Sequence, residues 1–113
     1  MRSDSDRPDD ILGAIAKINE RVAGDFDLFQ RDEMLQVWVI HHLQIIGEAT
    51  RGISQSTKTH YPEVPWAQVY ALRNILVHEY FGLNMHQVWM VTQRELPALE
   101  RQLRVIRAQI VPE

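Results

Sequence analysis

Four stretches of this chain repeat their apolar residues at spacings of three and four, and no stretch makes a convincing strand. Ile11, Ile15, Ile18 and Val22 make the first such stripe, and Leu96, Leu99, Leu103, Ile106 and Ile110 the last. A period near 3.6 residues buries one face of a helix and leaves the other to water. The first helix is expected from Pro8 to Ala23, with Ser5 or Asp6 as cap and Gly24 and Asp25 as the break. A second runs from about Arg31 to Ile53, and S-Q-S-T-K-T-H-Y-P-E-V-P follows as a polar connector. A third spans Pro65 to Tyr80, with Pro65 at the first helical position and Gly82 closing it. Asn84, paired with Gln87, caps a fourth that continues to about Ile110, with a kink expected near Pro97. Four amphipathic segments with short connections predict one all-α domain over residues 1–113, an antiparallel up-and-down four-helix bundle with short extra helices.

The second helix is apolar on two sides. Leu35, Trp38, Val39, Ile45, Ile46, Ala49 and Ile53 share a broad face. Val37 and Ile40 point the other way, with His41, Gln44 and Glu48. Two apolar faces call for two packing partners, and in a chain of 113 residues the second can be another copy of itself.

Composition narrows the function. There is no cysteine, which removes disulfides and thiolate metal sites. Hydrophobic residues at 45% and charged residues at 24% are ordinary for a globular domain. The opening M-R-S-D-S-D-R-P-D-D lacks the apolar core of a signal peptide, and no apolar run approaches the roughly 20 residues of a membrane span. A cytoplasmic protein with no membrane partner is expected. A formal net charge of -3 argues against a nonspecific nucleic-acid coat but leaves room for a small basic cleft.

Leu72 to Gly82, L-R-N-I-L-V-H-E-Y-F-G, sets an arginine, a histidine and a tyrosine inside an otherwise apolar run. On a helical wheel Trp66, Val69, Tyr70, Leu76 and Val77 form the apolar face, and Arg73 falls in its middle. Tyr80 lies almost below Arg73, while Asn74 and His78, four apart, share the neighbouring edge. Arg73 and His78 diverge by about 140°, so they meet only if the helix distorts or a symmetry mate supplies one of them. A guanidinium keeps its charge, and burying it unpaired costs several kcal/mol. The anion that meets it is either a structural carboxylate such as Glu48 or a phosphate in a cleft. In the second case the set suits metal-free cleavage of RNA. His78 takes the proton of a ribose 2′-hydroxyl, Arg73 stabilises the charge growing on the phosphoryl oxygens, and Asn74 orients the imidazole or the phosphate. DNA lacks that hydroxyl and is not a substrate for this chemistry.

R-N-I-L-V-H-E-Y, Arg73 to Tyr80, resembles the R-x4-H-x-Y motif of HEPN-domain toxins of the HepT type. D-D-I-L-G-A-I near residue 9, L-Q-I-I-G-E-A at Leu43 to Ala49, Y-P-E-V-P-W at Tyr61 to Trp66, and V-W followed by E-L-P at Val88 to Pro97 extend the likeness in the same order. The resemblance implies a HEPN-like bundle that forms a homodimer, with the cleft at the interface where motifs of both subunits meet. It implies a metal-independent endoribonuclease toxin of a bacterial type VII toxin-antitoxin system. Its antitoxin resembles a minimal nucleotidyltransferase, which silences the toxin by transferring AMP to the motif tyrosine, here Tyr80. An adenylylated phenol on the Arg73 face would exclude substrate phosphate by charge and bulk. The chain departs from the family at His41 and His42, where arginine and asparagine are common. Either a lost cation weakens RNA binding there, or His41 keeps a polar role on the second face. The rival to the enzyme is a non-catalytic HEPN-like module that binds nucleotide or a nucleotidyltransferase partner.

The remaining residues have blander readings. His41, His42, His60, His78 and His86 show neither H-x3-H nor H-E-x-x-H spacing, so no metal site or cofactor is expected. His42 reads as a satisfied core histidine and His86 as a surface residue. Trp38, Trp66 and Trp89 read as core anchors. Arg94, Arg101, Arg104 and Arg107 make a basic stretch that Glu95 and Glu100 dilute, either a solvated face or an RNA contact.

Overall fold

A computed structural model of the chain describes residues 6–22, 24–71 and 84–109. Among them every regular element is helical and no strand occurs. Helix α1 is Arg7–Arg21, α2 Phe26–Arg31, α3 Glu33–Gly52 and α4 Gln55–His60. Helix α5 is described over residues 66–71. Helix α6 is Met85–Met90, followed by a π-helical turn, Val91–Glu95, and by α7, Leu96–Gln109.

Short polar side chains set the helix starts. Pro8 sits in the first turn of α1, where its missing N–H costs nothing. Asp6 occupies the N-cap position, yet its carboxylate makes no cap hydrogen bond. Asp25 accepts the Leu28 N–H at 3.1 Å and so opens α2, a helix the sequence reading omitted. Asp32 accepts the Leu35 N–H at 3.0 Å, which starts α3 two residues after the expected Arg31. The Gln36 amide donates to the carbonyls of Phe29 (3.0 Å) and Gln30 (2.9 Å), fixing the elbow between α2 and α3. Gly24 supplies the turn before α2 with a φ of 78°, a conformation side chains resist, and a Cβ there would lie 2.9 Å from Leu28 Cδ1.

Helices α1 and α3 run antiparallel. The Trp38 indole N–H donates to the Lys17 carbonyl at 2.9 Å, while at the far end the Arg7 guanidinium lies against Gly52. A Cβ at Gly52 would collide with that guanidinium, so glycine permits the close approach. Between these contacts Ile11, Ile15 and Ile18 meet a core that includes Val39, Leu43 and Ile46, each at most 1% exposed. Burial of each such side chain contributes about 1.5–3 kcal/mol. Helix α7 packs its stripe of Leu99, Leu103 and Ile106 against α1, and α2 bridges α3 and α6.

Three expectations change. The polar connector contains α4, capped by Ser54, whose Oγ accepts the Thr57 N–H at 3.2 Å. Ile40 does not point outward with Val37. It is 3% exposed and joins the core, because α3 is covered within the chain by both α1 and α2, whereas Val37 stays 46% exposed. The irregularity expected at Pro97 takes the form of the π turn just before it, where the Leu96 N–H bonds to the Val91 carbonyl five residues back. A wider turn eases the approach of a ring that has no N–H to offer. Thr92, 4% exposed in that turn, donates its hydroxyl to the Trp89 carbonyl at 2.7 Å.

Candidate functional site

Arg73, Asn74, His78 and Tyr80 lie outside the described residues, and with them the choice between a phosphate and Glu48 as the partner of Arg73. The structure describes the two shoulders from which that segment springs.

The upstream shoulder is held by polar pins. Val64 is 2% exposed and Trp66 8%, and the Trp66 indole N–H donates to the Tyr61 carbonyl at 3.0 Å. The Val69 N–H bonds to the Pro65 carbonyl at 3.0 Å, so Pro65 stands at the N-cap of α5, one residue before the first helical position expected for it, which Trp66 takes. Two contacts tie this turn to α7. The Tyr61 hydroxyl donates to Gln109 Oε1, and the Gln102 amide donates to the Glu63 carbonyl at 3.1 Å. Val69 and Tyr70 are half-buried as α5 leaves the turn.

The downstream shoulder is held by rings. Asn84 Oδ1 accepts the N–H groups of His86 (2.9 Å) and Gln87 (3.3 Å), which confirms it as the cap of α6. Phe29 is fully buried with its ring centroid 5.4 Å from that of Trp89. Phe26 lies 6.4 Å from Trp89 and meets the exposed His86 edge-on at 5.1 Å.

On α3, His42 is 7% exposed, and its Nδ1 stands 2.7 Å from the Trp38 carbonyl. A carbonyl only accepts, so Nδ1 carries the proton, and the reading of a satisfied core histidine stands. His41 is exposed and lies edge-on to His42 at 5.0 Å. Trp38 is a half-buried clasp more than a core anchor, with the Arg21 guanidinium 5.2 Å from its ring centroid. In the basic stretch of α7, Arg104 bonds Glu100 at 3.0 Å and Arg107 pairs with Asp9, so two of its four cations already face carboxylates. Among the described residues no group of three His, Asp or Glu side chains is placed to hold a metal ion.

Three of the grooves on the described surface are well formed. One of about 750 Å³ lies between α4 and the start of α5, and carries Arg51, Lys58 and Glu63 beside Gln55, Gln68 and Tyr70. A second, about 460 Å³, is walled by Leu43, Ile46, Val69, Val91, Leu96 and Leu99, and its charged residues are Glu63 and Glu95. A third, about 470 Å³, sets Arg7 and Lys17 against Asp9, Asp10 and Glu48. The first groove is lined by two cations and one carboxylate, and its Arg51 also pairs with Glu48 at 3.6 Å; the others are lined by more carboxylates than cations. Sequence reasoning passed over Arg51 and Lys58. The signal was S-x-x-T at Ser54 and Thr57, which starts α4 and aligns Lys58 with the end of α3.

Comparison with known proteins gives a consistent picture. Residues 11–106 match the family model described as Ribonuclease HepT-like. A protein of Thermococcus cleftensis named Probable ribonuclease HepT is 35% identical over 107 residues, covering 94% of this chain and 97% of that one. A relative from Caldanaerobacter subterraneus, with RNase in its name, is 36% identical over 88 residues, covering 77% of this chain and 79% of its own. Another so named, from Methanocaldococcus jannaschii, is 34% identical over 82 residues, with 73% and 75% covered. No solved structure matches the chain.

Proposed function

The chain belongs to the HepT-like ribonuclease family, and on that premise we propose that it is a metal-independent endoribonuclease toxin whose chemistry is carried by Arg73, Asn74 and His78. The observation that carries this reading is the R-x4-H-x-Y pattern from Arg73 to Tyr80 inside a family match that spans it. His78 takes the proton from a ribose 2′-hydroxyl, and the freed oxygen attacks the adjacent phosphorus. Arg73 donates two parallel hydrogen bonds to the phosphoryl oxygens as their charge grows. Asn74 orients the imidazole or the phosphate. The bond from phosphorus to the 5′-oxygen breaks, that oxygen takes a proton from a protonated His78 imidazole acting as general acid or from water, and the product ends in a 2′,3′-cyclic phosphate.

Two copies complete the site in this reading, since a 140° divergence keeps Arg73 and His78 of one regular helix apart. Support comes from the outward face of α3, where Met34 is 82% and Val37 46% exposed, with exposed His41 four residues on. A second copy packed there would bury this stripe. Regulation follows from Tyr80 as the acceptor of AMP from a nucleotidyltransferase antitoxin, the added phosphate and base blocking substrate. No helix among the described residues is long and apolar enough to cross a membrane, and a cytoplasmic site of action fits this reading.

The deciding experiment is cleavage of RNA by the purified chain in the presence of a chelator, with the product ends identified. Cyclic phosphate ends in the parent, and their loss in His78→Ala with an unchanged circular-dichroism spectrum, are expected. Cleavage by His78→Ala at the parent rate, or 3′-hydroxyl ends made only with added metal, would remove the assignment.

A further inference from the structure

Of the three grooves described above, the one between α4 and the start of α5 suits a polyanion best. We infer that the groove between α4 and the start of α5 is a track for single-stranded RNA, in which Arg51 and Lys58 hold backbone phosphate and Tyr70 offers a ring to a base. This rests on the ribonuclease reading and adds to it a binding surface outside the motif.

The choice among grooves is electrostatic. In a chain of net charge -3 a phosphate backbone needs a local excess of cations. The apolar groove beside α7 presents Glu63 and Glu95 with no cation, and the groove beside α1 sets three carboxylates against Arg7 and Lys17. The α4–α5 groove alone of the three is lined by more cations than carboxylates, and the surplus is realised when Arg51 leaves its exposed partner Glu48. Arg51 and Lys58 stand in the last turns of α3 and α4, where the helix dipole favours a cation. The dipole accounts for a cation at each helix end. It does not account for both lining one groove together with Gln55, Gln68 and the half-buried Tyr70.

Position ties the groove to the chemistry. Tyr70 lies on the groove wall, and Arg73 follows it three residues later in the chain. The chain itself therefore keeps their Cα atoms within about 11 Å in any conformation. One short stretch of strand can touch both. The Arg51 side chain is 64% exposed, and its pair with Glu48 is a loose 3.6 Å surface contact, so it is available to exchange that carboxylate for a phosphate. Glutamines and an aromatic ring beside two cations suit a strand read by charge and stacking, with little demand on sequence.

The test uses a fluorescein-labelled single-stranded RNA with 2′-O-methyl riboses, which binds but cannot be cleaved by 2′-hydroxyl attack. Its affinity for the full chain is measured by anisotropy across a salt series, for the parent, for Arg51→Gln with Lys58→Gln, and for Arg101→Gln with Arg104→Gln. The groove pair is expected to weaken binding about tenfold at low salt and to lower the log–log salt slope by about 1.4, for two phosphate contacts on a single strand. Tyr70→Leu is expected to weaken binding while leaving the slope unchanged. The α7 pair removes the same charge elsewhere and is expected to change little. Equal losses in the two double variants, or an unchanged slope in the groove pair, would overturn the track. Absence of cleavage by the parent would sink the ribonuclease reading by itself, because the binding arm does not depend on turnover.

Discussion

The two shoulders of the Arg73–Tyr80 segment are built from different materials. Upstream, one indole hydrogen bond and two side-chain contacts to α7 hold the turn from Tyr61 to Trp66. Downstream, Phe26, Phe29 and Trp89 pack ring against ring, with the Asn84 cap and the Thr92 hydroxyl on the Trp89 carbonyl as polar contacts. Hydrogen bonds are directional but contribute about 1 kcal/mol each, whereas a buried aromatic ring contributes several. Both shoulders bury an indole, Trp66 and Trp89, each 8% exposed; the directional contacts added upstream aim the segment, and the two further rings stacked downstream anchor it.

The division can be broken by substitution. Phe29→Ala carries the largest expected effect on stability, a loss of about 3–5 kcal/mol by chemical denaturation. The protein that stays folded at low temperature should still cleave RNA near the parent rate. If Phe29→Ala instead unfolds at the parent midpoint, the ring cluster is not the anchor. Trp66→Phe keeps most of the buried ring and removes the donor to the Tyr61 carbonyl, at a cost of about 1–2 kcal/mol. Its cleavage rate should fall further than that of Phe29→Ala; the reverse order would undo the distinction between aiming and anchoring. Asn84→Ala has the smallest effect, about 1 kcal/mol through loss of the cap, read as lower hydrogen-exchange protection confined to α6. Protection lost also in α5 would mean that the shoulders are one unit.

The same contrast shows how far the sequence could be read. The long stripes of α1, α3 and α7 were legible because ten or more residues repeat a period. Asn84 was legible because a cap acts within three residues, and His42 because its position on the apolar stripe required a satisfied ring. The six residues of α2 are too few to display a period, and α4 has no buried face to display. Both depend on single polar caps, Asp25 and Ser54, which a search for apolar patterns passes over. Ile40 was misplaced because one helix wheel cannot count its neighbours.

What the sequence determined by itself is the helical class and the chemistry on offer: periodicity and residue type are local properties, and the R-x4-H-x-Y set is written in consecutive residues. What only the tertiary structure decided is which surface carries surplus positive charge and which side of α3 remains open. Arg51, Lys58 and Tyr70 come from three different helices, and their meeting depends on how a cap, a proline and a tryptophan turn the chain between them.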